Sequence, residues 1–389
     1  MKEIESEPRS VRELLTEMKN VSDLMIDLAY AAVLFNNSEL ADRVHELETK
    51  MDELMYNIRT IVAVVTRNVR EAKKITGILQ VASAAEAISN ATDDIADLIR
   101  EGAKIHPIVH DAFRIANEKI AWVNLSEGST LCSKKLCDLK LASTIGVTVL
   151  AIKRAETWII SPTRETEVCS SDAIIVKGPP DGITILCEMA GAPKETWVPE
   201  RELPDIRVTL AEMRDLSSLA VDMAYCSILF ESREIAEEVE DMNKKFKKLN
   251  HKLWLATLKA ARRERDVVGL YNLLQVAKSI EQISDAANSI IDVVLRELEL
   301  HPVFAQALAE ADEQMGRADV SEHSEFVGKS LKELNLWTRM GAYVLMIRRG
   351  KRYLSNPPRR TKVQTGDSLI VHGTRRGVEM VKKAAGGSV

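Results

Sequence analysis

The sequence predicts an α+β multidomain protein in which two antiparallel three-helix bundles alternate with two small α+β domains, and three observations carry that reading. The first is length. At roughly 150 residues per domain, 389 residues imply two to four compact units. The second is an internal duplication: shifted by 195 positions, the two halves align without a gap. The third is a change of hydrophobic period midway through each copy, from helical spacing to short β-rich runs punctuated by Gly and Pro.

The duplication is legible residue by residue. Leu79-Gln80-Val81-Ala82 falls on Leu274-Gln275-Val276-Ala277, His106-Pro107 on His301-Pro302, and Gly146, Arg154, Asp172 and Gly178 on Gly341, Arg349, Asp367 and Gly373. A duplicated unit tends to pack about a pseudo-two-fold axis, so a surface that pairs two chains in a single-copy relative is available here within one polypeptide. The expected units are a helical bundle over 1–113, an α+β domain over 114–195, a second bundle over 196–308 and a second α+β domain over 309–389.

Within the first bundle, amphipathic stretches at about 10–35 and 71–103 flank a longer one. In it Leu40, Val44, Leu47, Met51, Leu54, Ile58, Ile61 and Val65 alternate four and three apart, along one seam of an extended helix. Ser10 and Glu13 have the spacing of a capping box. The second copy repeats the seam from Ile235 to Ala260. In the α+β part, Val147 to Ile152, Trp158 to Ile160 and Ala173 to Val176 are strand-length. Lys134–Leu141 reads as a short helix and Ile183–Ala190 as a closing one; Tyr343–Ile347, Tyr353-Leu354 and Ser368–Val371 are the strands of the second copy.

Composition narrows the function. Hydrophobic residues make up 46% and charged residues 29%, which excludes global disorder, and 4% aromatics favour aliphatic-packed helices over a large all-β fold. A net charge of −5 offers no global field for a phosphate backbone, so nucleic acid is not the expected partner. No apolar run approaches the roughly 18 residues of a spanning helix, and the N-terminus lacks the apolar core of a secretory signal, so the expected compartment is the cytoplasm. Five cysteines without counterparts in the other half make no disulfide framework or zinc site. Glycine-rich nucleotide loops, His-Glu-x-x-His and Gly-x-Ser-x-Gly are missing, and the expectation is a protein that is not an enzyme.

The α+β segments resemble the TrkA-C domain (the C-terminal part of RCK), a regulatory module of potassium channels and transporters. The likeness rests on Ser126–Leu141, Gly146–Arg154, Pro162 and Asp172–Gly178, and more fully on Ser324–Leu331, Val344–Gly350 and Gly366–Gly373. Ser133 and Ser171 stand where the second copy has Gly328 and Gly366, which predicts differently shaped loops in the first copy. The helical segments resemble the PhoU family, best at Leu274–Ile291, where Glu281 and Asp285 look like that family's Glu-x-x-x-Asp metal motif; Asn90 replaces the acid in the first copy. The order PhoU-like, TrkA-C, PhoU-like, TrkA-C is similar to archaeal proteins associated with potassium transport.

Those resemblances imply two candidate sites. In the TrkA-C likeness the central strand end lies near a dimer interface where some members bind cyclic di-AMP, which points to Ile152, Lys153, Arg154, Ile347, Arg348 and Arg349; the arginine fork suits phosphate oxygens and bases. In the PhoU likeness Glu281 and Asp285 share one helix face, and Asp222 is the expected third ligand for a divalent or iron ion. The competing roles are a solubilising strand end and solvated charge. His106 and His301 each precede Pro with no second His or Cys at ligand spacing, so helix-start packing is their expected role. The leading expectation is a cytoplasmic regulator of potassium transport that binds a small anionic ligand at paired TrkA-C domains, as a homodimer or an intramolecular pseudo-dimer, and signals to a membrane channel or transporter subunit. The alternative is a PhoU-like metal-binding adaptor in phosphate-transport signalling.

Overall fold

The computed structural model describes residues 9–66, 68–193, 203–263, 266–298, 301–350 and 352–386. Its first helix, α1 (Val11–Phe35), begins at the expected capping box: the Glu13 amide donates to the Ser10 hydroxyl, and the Ser10 amide donates to the Glu13 carboxylate. It stops at Asn36, held at φ 46°, a left-handed conformation that Asn tolerates better than most residues. The Asn37 side chain then caps α2 (Ser38–Val65). Helix α3 (Val69–Arg100) completes the bundle, and α4 (Pro107–Ile115) leads out of it. Along α2, Leu40, Val44, Met51, Leu54 and Ile58 are buried as the seam requires, while Val65 at its end is exposed.

The first lobe follows as β1 (Lys119–Asn124), β2 (Lys134–Lys135), α5 (Leu136–Leu139), α6 (Leu141–Thr144), β3 (Thr148–Arg154), β4 (Thr157–Ile160), β5 (Glu167–Val168), β6 (Ala173–Gly178) and α7 (Pro180–Ala190). The second bundle is α8 (Pro204–Leu229), α9 (Arg233–Ala260) and α10 (Val267–Leu295), with α11 (Val303–Glu310) leading out. The second lobe is β7 (Glu313–Asp319), α12 (Leu331–Leu334), α13 (Leu336–Met340), β8 (Ala342–Arg349), β9 (Arg352–Ser355), β10 (Ser368–Thr374) and α14 (Arg375–Ala385). Each lobe holds a four-stranded antiparallel sheet, ordered β1-β6-β3-β4 and β7-β10-β8-β9. Among the described residues no helix is long and apolar enough to cross a membrane.

Two local expectations need correction. Lys134–Leu141 is not one helix: Lys134 and Lys135 are extended and pair with β5, and Lys140, at φ 50°, separates α5 from α6. The serines of the first lobe do not reshape its loops either. Ser133 and Ser171 sit at φ 58° and 69°, in the same left-handed region as Gly328 and Gly366 at 81° and 80°. The loop geometry is retained, and the serines carry the strain that a Cβ adds there.

The strand period of two divides each sheet between two cores. On β6, Ile175 joins the core of the bundles, whereas Ile174 and Val176 face the lobe's own helices. On β10, Ile370 faces the bundles, whereas Leu369 and Val371 face away from them. One continuous apolar core therefore runs through both bundles and the inner faces of both sheets.

The two copies close on each other about the expected pseudo-two-fold axis, with α3 against α10, α4 against α8 and α1 against α11. The contacts come in equivalent pairs. Lys19 lies over the Tyr225 ring at 5.0 Å and Arg214 over the Tyr30 ring at 4.9 Å, each cation and its aromatic partner coming from different copies. Likewise the Asp312 amide donates to Asn20 Oδ1 (3.0 Å) and the Asn117 amide to the Asp215 carboxylate (3.0 Å). The lobes meet through α6 and α13. There Gly146 and Gly341 allow a close backbone approach: a Cβ on Gly146 would lie 2.4 Å from the Trp337 carbonyl oxygen, and one on Gly341 2.0 Å from that of Ala142.

Replacing Ser171 with Gly relieves the left-handed strain at an exposed turn. The Ser171→Gly variant is expected to raise unfolding stability by about 1 kcal/mol in urea titrations; an unchanged midpoint shows that the loop is not strained.

Candidate functional site

The closure of the two copies leaves a cavity of about 650 Å³ on the pseudo-two-fold axis. Both lobes and both bundles wall it: Asp27 from α1, Asp222 from α8, Glu118 and Lys177 from the first lobe side, Glu313, Tyr343 and His372 from the second. The charged groups are again equivalent pairs in the duplication, Asp27 with Asp222, Glu118 with Glu313 and Lys177 with His372. Lys177 and His372 lie one residue beyond the last apolar position of their central strands, on the side that faces the bundles. Strand alternation delivers a cation to the same spot from each lobe.

Lys177 bridges three domains. Its ammonium lies 2.9 Å from Asp27 on α1 and 3.0 Å from Glu313 on β7. Burial disfavours its charged form, but Asp27, Glu313 and Glu118 outweigh that and hold its pKa well above the ordinary lysine value. In the other half, Tyr343 donates to Asp222 (3.0 Å) and sits 2.8 Å from His372 Nδ1. His372 Nδ1 lies 3.4 Å from Asp222 and Nε2 3.6 Å from Glu313. Burial disfavours the imidazolium, yet Asp222 and Glu313 more than compensate and raise the His372 pKa. Burial also pushes the Asp222 and Glu313 carboxyls upward, and the cations beside them bring both below the ordinary range.

Glu118 is the acid left over. No ion pair to it forms among the described residues, and burial pushes its pKa up to about 7 despite the pull of Lys177. Beside the ion-paired Lys177 and His372, the cavity thus holds one carboxyl poised to change protonation near neutrality. His372 Nε2 is buried without a hydrogen-bond partner, so the cavity also offers an unsatisfied imidazole nitrogen.

The residues expected at a ligand site lie elsewhere. Ile152 and Ile347 are fully buried in the lobes' own cores. Arg154 makes a bidentate pair with Asp172 (2.9 Å to each oxygen), and Arg349 does the same with Asp367 (2.8 and 2.7 Å). Each carboxylate also accepts a turn amide, from Cys169 and Gln364, so these pairs lock the loop before the central strand. Lys153 pairs with Glu39 at 2.5 Å and lies over the Trp158 ring, tying the first sheet to α2. Arg348 is half-buried on β8. None of the six lines the cavity.

Nor do the expected metal ligands converge. Glu281 and Asp285 accept from Asn250 and Asn243 of α9, at 2.7 and 3.3 Å, while Asp222 is committed to Tyr343 and His372. Among the described residues, the one trio of such side chains with ligand atoms within 4.8 Å of one another is His45, Glu48 and Asp93. His106 and His301 do stand at helix starts: each Nδ1 accepts the amide two residues on, at 3.2 Å.

Asp27 and Asp222 are recognisable from sequence as equivalent acids, but Lys177, His372, Glu118 and Glu313 are not singled out by motif. The signal that reveals them is an ionisable residue conserved in kind between the two copies next to an apolar strand run.

Two helical bundles holding two paired α+β lobes around one charged cavity define a duplicated, multidomain architecture. Residues 15–99 and 210–294 match the PhoU domain and residues 120–191 and 315–386 match the TrkA-C domain, so the chain carries PhoU and TrkA-C domains in tandem, an organisation that supports a regulatory role. Among solved structures it is similar to PhoU from Pseudomonas aeruginosa at 13% identity, over 74% of this chain and 96% of that one, with a TM-score of 0.43. It is also similar to the GsuK RCK domain (16% identity, 69% and 64% of the two chains, TM-score 0.18) and to the GsuK channel bound to NAD (13%, 81% and 65%, 0.19). No curated protein matches the sequence.

The Glu118 carboxyl sets a pH dependence. Between its unfolded value near 4.5 and its folded value of about 7, the folded chain holds a proton that the unfolded chain releases, so stability falls as pH rises through that window. His372, with its raised pKa, adds stability that is present below about 6.5 and lost as pH rises through its folded value. Glu118→Gln is expected to flatten the decline in urea midpoint between pH 5 and 7; an unaltered profile would show that Glu118 titrates normally.

Proposed function

We propose that this chain is a cytoplasmic, non-enzymatic regulator of a potassium channel or transporter, switched by a small ligand bound in the cavity between its paired TrkA-C lobes. The observation that carries the reading is that one cavity touches all four domains, so an occupant has contacts with every boundary at which the domains could shift. A ligand changes the population of two arrangements only by binding them unequally, and a site built from four domain surfaces supplies that inequality.

The ligand class follows from the charges. Lys177 and His372 are each matched by carboxylates, while Lys119, Arg214 and Arg359 also line the cavity, so an anionic ligand such as cyclic di-AMP that reaches the central pair displaces Asp27 or Glu313 from Lys177, or Asp222 from His372. Displaced carboxylates in a buried site take up protons, and burial has already raised Asp27 and Glu118 toward that state. Anion binding coupled to proton uptake, stronger at lower pH, is the signature of this mechanism. The Trp337 and Tyr343 rings, 4.8 Å apart at the cavity wall, offer a surface for a base. A resident divalent or iron ion would rest on Glu281 and Asp285 without Asp222, fewer oxygen ligands than a hard cation requires.

Calorimetry of the full chain with cyclic di-AMP at two pH values tests the ligand. Arg359 lines the cavity, and its one ion-pair partner among the described residues is the exposed Asp181, at 4.0 Å. Saturable binding that tightens on acidification, and weakens roughly tenfold in Arg359→Ala, is expected. Lack of saturable heat removes this ligand, and stoichiometric metal in protein purified without chelator turns the reading toward a PhoU-like adaptor in phosphate signalling.

A further inference from the structure

The second bundle carries a surface that neither the cavity nor the lobe pairing uses. From Met242 to Arg263 the chain contains six lysines and two arginines but no Asp or Glu. Lys244 and Lys245 are neutralised by Glu240, Asp241 and Glu212. Lys247, Lys248, Lys252, Lys259, Arg262 and Arg263 are exposed and form no ion pair among the described residues. The buried stripe of α9 runs through Met242, Phe246, Leu253 and Ala260, so these cations occupy the opposite, outward face.

That outward face is not simply polar. Trp254, Leu255 and Leu258 stand among the lysines, and at the same end of the bundle Val267, Val268 and Tyr271 of α10 are exposed as well; all six are between 40% and 61% exposed. Contiguous exposed apolar groups rimmed by charge mark a docking surface. The duplication shows that the fold does not impose the charge: α2, the equivalent helix, carries Glu48, Asp52 and Glu53 over its corresponding stretch.

We infer that this face of α9 and the start of α10 docks on the surface of an anionic phospholipid bilayer. Lysines and arginines draw the face to anionic headgroups, while Leu255, Leu258, Val267 and Val268 gain by entering the acyl boundary. Trp254 and Tyr271 suit the interface between the two, each with an apolar ring and one polar handle. A nucleic-acid duplex satisfies the cations but leaves the four aliphatic side chains in water. The chain's net charge of −5 turns the rest of the molecule away from the membrane, so one face is presented. This inference does not rest on the ligand reading.

Co-sedimentation of the full chain with phosphatidylcholine vesicles, with and without about 30 mol% phosphatidylglycerol, tests it. The chain is expected to bind only the anionic vesicles, and high salt, Lys252→Glu with Lys259→Glu, and Leu255→Ser with Leu258→Ser each weaken binding at least tenfold. All four positions are exposed, and circular dichroism with urea midpoints shows that the variants remain folded. Trp254→Phe keeps binding but loses the vesicle-induced blue shift of tryptophan emission. Equal binding to neutral vesicles, no vesicle binding, tighter binding to duplex DNA, or a blue shift retained by Trp254→Phe overturns the proposal. So does self-association in light scattering that the same double variants abolish in a chain that ignores vesicles.

Discussion

The ammonium group of Lys177 is the point on which the arrangement of the four domains depends. It emerges from the central strand of the first lobe and is held by Asp27 of the first bundle and Glu313 of the second lobe. Taking three charges out of water is costly, and mutual attraction offsets the cost only while all remain in place. The network therefore favours one placement of lobe on bundle and lobe on lobe, whereas the apolar core around it tolerates sliding more readily. A buried charge cluster at a shared boundary is a specificity device and also a point of control, because any group that competes for Lys177 loosens three boundaries together.

Duplication supplied this cluster in two copies, and divergence made the copies unequal. The acids around Lys177 hold its pKa well above the ordinary lysine value, whereas His372 at the equivalent position carries an imidazole, whose charge responds to pH. Thr148 in one copy is Tyr343 in the other, so only the second half has a phenol hydrogen-bonded to both its acid and its imidazole. Elsewhere the symmetry is retained in kind: Lys19 and Arg214 each stack on a tyrosine of the opposite copy, contacts worth about 2 kcal/mol when desolvated. The scaffold is nearly symmetric and the cavity chemistry is not. An asymmetric ligand can bind such a site in one orientation.

The arginines at the strand ends show how partners brought by the fold change what a residue type suggests. Arg154 and Arg349 have the chemistry to hold a phosphate, but Asp172 and Asp367, eighteen residues on in each copy, already occupy their forks. The partner acids are visible in the sequence; what places them opposite the guanidinium is the antiparallel pairing of the central strands. Glu281 and Asp285 fail to meet Asp222 for a related reason. Helical spacing aligns the first two on one face of α10, while Asp222 on α8 turns toward the second lobe and its tyrosine and histidine.

Local spacing and self-similarity alone determined the helices, their seams, most strands and the existence of two equivalent units, because period, caps and turns are set by neighbours along the chain. The edge strands β1 and β7, the break at Lys140 and the left-handed serines depended on contacts beyond those neighbours. Only the tertiary structure decided that the two lobes face each other across Gly146 and Gly341, and that ionisable groups from four domains share one cavity. Those groups are far apart in sequence, and their pKa values and partners arise from burial and proximity, which exist only once the chain has closed on itself.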